Sequence, residues 1–379
     1  MKNNALYDLV IFGATSFAGK FVTQYLAERG KAVPGMRWAI AGRSRTKLEQ
    51  LSTELGLENV GIIIADVADR PSIDAMVAST KAVLTTVGPY QLYGTPLVES
   101  CALTGTDYLD LTGDPNWMRE MIDAYEALAR QNGARILFSC GFDSIPSELG
   151  VYFLQKLAKE RFGSPMPRVR GRVTTFIGGP GGGSVATGMA MMKAAQEDAE
   201  FAKLMQDPFA LTPGFRGPEQ PTGLDIGVEE DVGPVYPFKL GPTDAKNVHR
   251  SNLLMNHAYG TDFVYDEMMA GELPAGGPPS FANMPKPGEG PGADVLANGK
   301  FEILFIGSDD SGRKLKATVS CPRDPGFVAT ARMMIETALL LHEDSEIAPG
   351  IWTPGAAFND RLIERLVNHG DMTFQVVGD

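Results

Sequence analysis

The sequence predicts an α/β protein whose amino-terminal part is a doubly wound parallel sheet, and three observations support this prediction. Between residue 5 and about residue 140, short apolar runs alternate with stretches of helical period, which is typical of stacked βαβ units. The first apolar run leads directly into a loop that carries glycines. With 379 residues, the chain is also long enough for two domains.

Six apolar runs are the predicted strands of this sheet, and five crossovers connect them. The first two helices have clear boundaries: one ends at Gly30, and the next begins at Ser44 and ends at Gly56. The predicted strands are LYDLVIF, MRWAIAG, VGIIIAD, AVLTTVG, DYLDL and ARILFSC. Together they predict a Rossmann domain over residues 1–146.

The pattern changes after Gly141, which predicts a second, α+β domain over residues 147–322. The segment FEILFIGSDDSGRKLKATVS indicates two strands joined at Asp309–Gly312, so this domain should carry an antiparallel sheet. Before this hairpin, we expect a helix over Ser147–Phe162, an extended stretch over Arg168–Ile177, a glycine-rich turn and a helix over Ser184–Leu204.

Two stretches dense in Pro and Gly, Asp207–Pro237 and Gly271–Ala293, are predicted to be irregular loops, either lids or disordered. Beyond them, GFVATARMMIETALLLHEDS predicts a strongly apolar helix. We expect this helix, with FNDRLIERLVNHG and TFQVV, to pack residues 323–379 back onto the first domain.

Composition and charge exclude several classes of partner. The net charge of −12 disfavours nucleic acid and anionic membranes, and no apolar run is long enough to span a bilayer, although peripheral contact with a membrane leaves no such signal. The spacing of the cysteines and histidines predicts neither a disulfide framework nor a metal site, and we expect a cytoplasmic protein. The residues concerned are Cys101, Cys140, Cys321, His249, His257, His342 and His369.

The loop after the first strand is a candidate dinucleotide site. A turn at a helix amino terminus presents backbone N–H groups to a pyrophosphate, and the helix dipole favours negative charge there. The pattern is GxxGxxG, with Ser16 where a middle glycine is common. Its residues are Gly13, Ala14, Thr15, Ser16, Phe17, Ala18 and Gly19.

The end of the second strand favours NADP over NAD. An NAD enzyme usually places a carboxylate there for the ribose 2′-hydroxyl, whereas a 2′-phosphate needs positive charge and hydroxyl groups. This chain has Gly42, Arg43 and Ser44 there, followed by Arg45, with no carboxylate before Glu49.

Two further strand ends are expected to border the cofactor. Asp66 and Val67 follow the third apolar run, where side chains commonly flank the adenine. Gly88, Pro89 and Tyr90 follow the fourth, near the expected position of the nicotinamide ribose. Each could instead be a turn that ends a strand.

Taken together, several motifs give the chain a resemblance to a known family. The chain resembles the saccharopine dehydrogenase-like oxidoreductases, in particular the branch of trans-acting enoyl reductases. The likeness covers nearly the whole chain except the loops between about Asp207 and Ala293. The motifs are GATSFAG, AGRSRTKL, TTVGPY, YLDLTGD, CGFDSIPSELG, GFVATARMMIETALLL and TPGAAFNDRLIERL.

This resemblance implies a Rossmann domain, an inserted second domain, NADP and, frequently, a homodimer. It leaves the substrate open, because some members reduce an imine on a small dicarboxylate and others a carbon–carbon double bond in a lipid chain. Ser16 departs from the family pattern, and we expect it to narrow the space for pyrophosphate while leaving the backbone donors in place.

A second motif points to a different chemistry. Tyr152 and Lys156 form YxxxK with Ser139 upstream, the pattern with which short-chain dehydrogenases lower a tyrosine pKa. Tyr and Lys are common enough that such a pair arises readily by chance, and the large second domain argues against this interpretation.

The segment GGPGGGSVATGMAMMKAA is the most distinctive part of the second domain. Its glycines and methionines suit close approach to a cofactor or an apolar substrate, although a core helix after a loose turn would look the same. A dicarboxylate would require clustered cations, and Lys193, Lys203 and Arg216 are too dispersed. An apolar substrate is therefore preferred.

The sequence thus predicts an NADP-dependent reductase that delivers a hydride to an enone or enoyl chain. Candidates for the proton donor, by position only, are Tyr90, Asp143 and Tyr152. The alternatives are imine reduction on an amino acid and a nucleotide-binding sensor or scaffold without turnover.

Overall fold

The computed structural model describes residues 5–30, 33, 35–273, 284–344 and 346–378, and within these ranges it contains two seven-stranded sheets. All strand pairs in the first sheet are parallel. Its first six strands confirm the six predicted ones. They are β1 (Tyr7–Phe12), β2 (Trp38–Gly42), β3 (Gly61–Ile64), β4 (Thr80–Thr85), β5 (Asp107–Leu109) and β6 (Arg135–Leu137).

The spatial order β6-β5-β4-β1-β2-β3 is that of a doubly wound sheet, and it confirms the predicted fold class. These strands are apolar on both faces because helices cover both sides of the sheet; all five residues of β2 are buried. The connecting helices are α1 (Phe17–Gly30), α2 (Arg45–Glu54), α3 (Arg70–Ala78), α4 (Tyr90–Tyr93), α5 (Thr95–Thr104) and α6 (Pro115–Asn132).

The boundaries of these helices follow local chemistry. The Ser44 hydroxyl accepts from the backbone N–H of Lys47 and caps α2, as its position in the sequence suggested. Gly105 and Gly133 end α5 and α6 with positive φ angles of 67° and 87°, which a glycine adopts without strain.

The second sheet follows α7 (Ile145–Phe162), and it is mixed rather than purely antiparallel. Its order is β14-β12-β11-β7-β10-β9-β8, and β7 and β10 are parallel neighbours. The predicted hairpin is confirmed, because β11 and β12 pair antiparallel. The strands are β7 (Arg168–Ile177), β8 (Gly227–Glu229), β9 (Gly233–Pro237), β10 (Val264–Ala270), β11 (Lys300–Ser308), β12 (Lys314–Cys321) and β14 (Thr373–Val377).

Two predictions for the second half were wrong in detail. The helix predicted over Ser184–Leu204 is two helices, because Asp198 leaves the helical conformation and its carboxylate caps the second one. The loop predicted over Asp207–Pro237 contains β8 and β9. In the other predicted loop, Gly271–Ala293, residues 274–283 lie outside the described residues. The helices here are α8 (Gly182–Glu197), α9 (Ala199–Gln206), α10 (Gly241–Leu254) and α11 (Ala293–Asn298).

The carboxy-terminal segment contacts both sheets. The apolar helix α12 (Thr330–Glu343), which follows a π-helical turn at Pro325–Ala329, packs against α1. A short strand, β13 (Gly350–Trp352), pairs with β6 as the seventh strand of the first sheet, whereas β14 pairs with β12 of the second. Between them lie α13 (Pro354–Phe358) and α14 (Asp360–His369).

A buried carboxylate joins the two ends of the chain. Glu336 of α12 is fully buried, and it accepts hydrogen bonds from Arg29 Nε at 2.6 Å and from Arg365 Nε at 2.7 Å. The Tyr25 hydroxyl donates to the same carboxylate at 2.7 Å. This cluster fixes α1, which begins at the glycine loop, against α12 and α14.

Among the described helices, none has both the length and the apolar composition needed to cross a membrane.

Candidate active site

The glycine loop lies at the carboxyl edge of β1, beside β4, where the strand order of the sheet reverses. Gly13 has a φ angle of +86°, and a Cβ atom there would lie 2.7 Å from the Val87 side chain. A Cβ atom at Gly19 would lie 2.1 Å from the carbonyl oxygen of Gly13. Gly13 is therefore required by its backbone conformation, and close packing requires a glycine at both positions.

Ser16 is part of the structure of this loop. Its hydroxyl oxygen accepts a hydrogen bond of 2.9 Å from the backbone N–H of Gly19 and lies 2.9 Å from the Thr86 hydroxyl. Because Thr86 donates its one proton to the carbonyl of Gly13, Ser16 must donate to Thr86. The expectation that Ser16 leaves the donors of the loop unchanged is therefore wrong for one of them, the N–H of Gly19.

Three other donors of the loop have no protein acceptor within the described part of the chain: the backbone N–H groups of Thr15, Phe17 and Ala18. Those of Gly13 and Ala14 both donate to the carbonyl of Ala41. Unpaired N–H groups at a helix amino terminus are the donors that a phosphate accepts from, so the loop is able to hold a pyrophosphate.

Arg43 lies directly after β2 with an exposed side chain, and no carboxylate of the described residues lies within ion-pair distance of it. The next arginine, Arg45, does have such a partner, because its guanidinium group lies 3.8 Å from the carboxylate of Glu49. A free guanidinium beside the Ser44 hydroxyl is a suitable group for a ribose 2′-phosphate, and no acid occupies this strand end.

At the next strand end, Asp66 and Val67 lie just after β3 and are both half-buried. Asp66 Oδ1 accepts from the N–H of Ala68 at 3.0 Å, so the carboxylate stabilises its own turn. Both residues therefore lie at the strand end where the adenine is expected. The Asp66 carboxylate also stabilises the local turn.

Gly88 and Pro89 follow β4 and are joined by a cis peptide bond, and Tyr90 opens the short helix α4. The Tyr90 hydroxyl is buried, donates to the carbonyl of Thr85 at 3.0 Å and accepts from the N–H of Leu111 at 3.4 Å. Burial and the nearby Asp110 raise the pKa of Tyr90 well above its usual value. The ring lies against Trp117, which is the environment of a structural tyrosine.

The YxxxK residues do not form a catalytic group. Tyr152 and Lys156 both bind Asp360 of α14, at 3.1 Å and 2.9 Å, while the Ser139 hydroxyl donates to the carbonyl of Thr112. Burial and the Asp360 carboxylate raise the pKa of Tyr152 to about 12. A short-chain dehydrogenase requires a lowered tyrosine pKa, so the shift is in the opposite direction.

Asp143 has a different environment. It is half-buried between β6 and α7, and none of the described residues forms a hydrogen bond with its carboxylate. A Cβ atom at Gly113 would lie 3.0 Å from Asp143 Oδ2, which places the carboxylate beside the loop after β5, at the carboxyl edge of the first sheet. Burial raises the pKa of Asp143 to about 6, although the Lys239 ammonium partly opposes the shift.

A buried pair of carboxyl groups lies behind Asp143. Asp244 is hydrogen-bonded to Glu267, which also accepts from Ser147 at 2.7 Å and from Tyr265 at 2.5 Å. Burial raises the pKa of Asp244 well above its usual value. The neighbouring Glu267 carboxylate raises the pKa of Asp244 further, because ionisation of one buried carboxyl group disfavours ionisation of the other.

An apolar surface adjoins Asp143, and the sequence analysis did not identify it. Phe142 lies 5.5 Å from Phe176, and Phe176 lies 5.7 Å from Phe238, between ring centroids. We call these three residues the phenylalanine patch. Phe142 and Phe238 are buried, at 3% and 6% exposure, whereas Phe176 is 37% exposed, so of these three rings it is Phe176 that is open to a ligand. The three rings come from different segments, and no local pattern in the sequence connects them.

The methionine helix α8 begins beside the nucleotide loop. The glycine-rich turn before it is closely packed: a Cβ atom at Gly181 would lie 2.6 Å from Phe327, whose ring is 4.8 Å from that of Phe17 in the loop. Apart from Gly182, no residue of α8 is buried, and Met189 is 57% exposed. The interpretation of this segment as a core helix is therefore wrong, and its apolar side chains are available to a ligand.

The comparisons with known proteins agree with this geometry. A family model described as the saccharopine dehydrogenase NADP-binding domain matches residues 9–137. A Mycobacterium tuberculosis protein named as a trans-acting enoyl reductase is 34% identical over 95% of both chains. The trans-acting enoyl reductase of Mycobacterium ulcerans is 32% identical over 96% of both.

Among solved structures, the saccharopine dehydrogenase (L-Glu forming) of Saccharomyces cerevisiae aligns with 98% of this chain and 100% of its own. Its TM-score is 0.52 at 12% sequence identity, so this likeness concerns the fold alone. The free donors of the glycine loop and the free arginine after β2 match the NADP requirement of the family model. The chain therefore belongs to the saccharopine dehydrogenase-like family of NADP-dependent oxidoreductases, in its trans-acting enoyl reductase branch.

Proposed function

We propose that the protein reduces the carbon–carbon double bond of an apolar enoyl or enone substrate, and that Asp143 donates the proton. NADPH, when bound, supplies the hydride, and the glycine loop and Arg43 hold its phosphates. The hydride adds to the β-carbon and the Asp143 carboxyl group protonates the α-carbon. Solvent then returns a proton to Asp143, so atoms and charges balance.

The observation that carries this proposal is the position of Asp143 at the border between a polar edge and an apolar surface. Its carboxyl group has no hydrogen-bond partner among the described residues and has a pKa of about 6, so it is able to donate a proton near neutral pH. The other two candidates, Tyr90 and Tyr152, have hydroxyl groups that are already engaged and pKa values that are raised.

The surroundings of Asp143 support an apolar substrate. The phenylalanine patch begins at the adjacent residue, and α8, which begins beside the nucleotide loop, carries exposed methionines further along the helix. Flexible methionine side chains adapt to chains of varied shape. A dicarboxylate amino acid would need several cations at this place, whereas Lys239 is the one cation of the described residues that acts on Asp143.

The proposal is tested by following NADPH oxidation with the N-acetylcysteamine thioester of trans-2-decenoic acid. We expect turnover by the wild type, with a rate that falls about tenfold per pH unit above pH about 6, because the acid form of Asp143 is lost there. Asp143→Asn should slow reduction by about 10²-fold to 10⁴-fold and remove this pH dependence.

Asp310→Asn is the matched control, because Asp310 is an exposed aspartate in the β11–β12 turn. It should leave both the rate and its pH profile unchanged. Turnover of the thioester by Asp143→Asn at the wild-type rate would exclude Asp143 as the proton donor. The absence of NADPH oxidation with enoyl thioesters and enones by the wild type would exclude the proposed reaction.

A further inference from the structure

We propose that Lys239 binds the carbonyl oxygen of the substrate, so that the acyl chain lies on the exposed Phe176 ring of the phenylalanine patch with its α-carbon toward Asp143. This inference rests on the proposed function and deepens it, because it assigns a second polar group to the same site. It also restricts the substrate to alkenes that are conjugated with a carbonyl group.

The arrangement of two charged residues around one apolar surface carries the argument. Asp143 directly follows Phe142, and Lys239 directly follows Phe238, so each charged residue is the chain neighbour of one ring of the phenylalanine patch. Phe176 connects these rings, with ring centroids 5.5 Å from Phe142 and 5.7 Å from Phe238. An acyl chain on the Phe176 ring would thus bring its carbonyl end to the acid and the ammonium group, which interact with one another.

The Lys239 ammonium is available for a ligand. The side chain is exposed, and no carboxylate of the described residues lies within 4.0 Å of it. By contrast, the lysines on the outer face of the second sheet, Lys314 and Lys316, are both paired with Asp231. Lys239 acts on Asp143 at longer range, which places both groups at one site.

The proposed reaction needs a cation at this position. When a hydride adds to the β-carbon of an enoyl group, the electron pair of the double bond moves toward the carbonyl, and the oxygen becomes negative. A positive group placed at that oxygen stabilises the transition state more than the ground state. Protonation of the α-carbon by Asp143 then restores the neutral carbonyl group. The substrate oxygen loses the negative charge that Lys239 stabilised.

Binding without turnover tests the inference separately from the reaction. The two probes are the N-acetylcysteamine thioester of decanoic acid and the corresponding decyl thioether, which has the same chain but no carbonyl oxygen. We expect calorimetry to show about tenfold tighter binding of the thioester to the wild type, which corresponds to one hydrogen bond to a charged group. Lys239→Met should bind the two probes equally.

Lys203→Met is the matched control, because Lys203 is an exposed lysine on α9 that lies 3.8 Å from Glu200. It should keep the wild-type preference for the thioester. A preference for the thioester that persists in Lys239→Met, or its absence in the wild type, would overturn the inference.

Kinetics separate failure of this inference from failure of the proposed function. With the decenoyl thioester, Lys239→Met should lower kcat by about 10²-fold to 10³-fold, the effect of removing one oxyanion donor, with a much smaller change in KM. Lys239→Arg should recover part of the loss. Unchanged kcat in Lys239→Met contradicts the inference alone. A wild type that prefers the thioester probe but never oxidises NADPH supports Lys239 as a carbonyl-binding residue and contradicts only the reduction.

Discussion

The hydroxyl groups of Ser16 and Thr86 lie 2.9 Å apart, and they connect the glycine loop after β1 to the end of β4. Ser16 also accepts from the N–H of Gly19, and Thr86 donates to the carbonyl of Gly13. Two side chains thus fix the loop that is proposed to bind the cofactor. The Ser16 side chain takes more space than the glycine that is common at this position, but its hydroxyl group caps α1.

We expect Ser16→Ala to lower the free energy of unfolding by about 1 kcal/mol, the usual effect of losing a helix cap. Thr86→Val keeps the shape of the side chain but removes the partner of Ser16. In a double-mutant cycle measured by urea unfolding, the two changes should couple by about 0.5–1.5 kcal/mol. Strictly additive effects would show that the bond between the hydroxyls is absent in solution.

Arg43→Ala should weaken NADPH binding by about one to two orders of magnitude and leave NADH binding unchanged, because the 2′-phosphate loses a charge-assisted hydrogen bond. Calorimetric titration with both nucleotides measures this difference. Arg37→Ala is the control, since Arg37 precedes β2 at the opposite edge and pairs with Asp8. Equal losses for both nucleotides in Arg43→Ala would contradict a role in recognising the 2′-phosphate.

Tyr152→Phe should leave kcat and KM within about twofold of the wild type, because its hydroxyl group binds Asp360 on the surface. Lys156→Met, which removes the other partner of Asp360, should behave in the same way. Steady-state kinetics with NADPH check both variants. If kcat fell a hundredfold in Tyr152→Phe, the short-chain dehydrogenase interpretation of YxxxK would have to be restored.

Glu336→Gln should lower the free energy of unfolding by about 3–5 kcal/mol, because it leaves Arg29 and Arg365 without their buried counter-charge. Burial by itself raises the pKa of Glu336, but the hydrogen bonds from Arg29, Tyr25 and Arg365 outweigh burial and lower it below 4.5. The stabilisation is therefore present above pH 4.5 and lost as the pH falls through the lowered value.

Urea unfolding at pH 7 and near pH 4 measures this contribution. Glu343→Gln is the matched control, since Glu343 binds the same Arg365 from a position that is 46% exposed. Glu343→Gln should lower the free energy of unfolding by less than about 1 kcal/mol. A similar cost for both variants would mean that burial does not distinguish the two ion pairs.

Local patterns predicted the first sheet well. Its first six strands are rich in apolar residues, as in β2, whose five residues are all buried, and the glycine loop is one contiguous segment. The break between α8 and α9 has a local cause that the helical period concealed: Asp198 caps the second helix through the N–H groups of Glu200 and Phe201. The available signal was an aspartate, a preferred N-cap residue, followed by a glutamate in the first turn of the next helix.

Other features depend on contacts between distant segments. β13 has three residues, too few for a period, and becomes a strand because β6 offers an unpaired edge. The last residue of β8, Glu229, is held by ion pairs from Arg170 and Arg172, which lie more than fifty residues away in the sequence. The phenylalanine patch and Lys239 likewise come together only in the folded chain. The sequence therefore identified Asp143 as a candidate but could not identify the residues around it.

The position of β13 has a consequence for biosynthesis. The edge of the first sheet next to β6 stays open until residues 350–352 have left the ribosome, and α1 is not covered until α12 has emerged. Amino-terminal domains commonly fold while the rest of a chain is still being made. This chain cannot finish its first sheet in that way, so a nascent chain that stalls in the second half leaves the edge of β6 unpaired, and such edges pair readily with other chains.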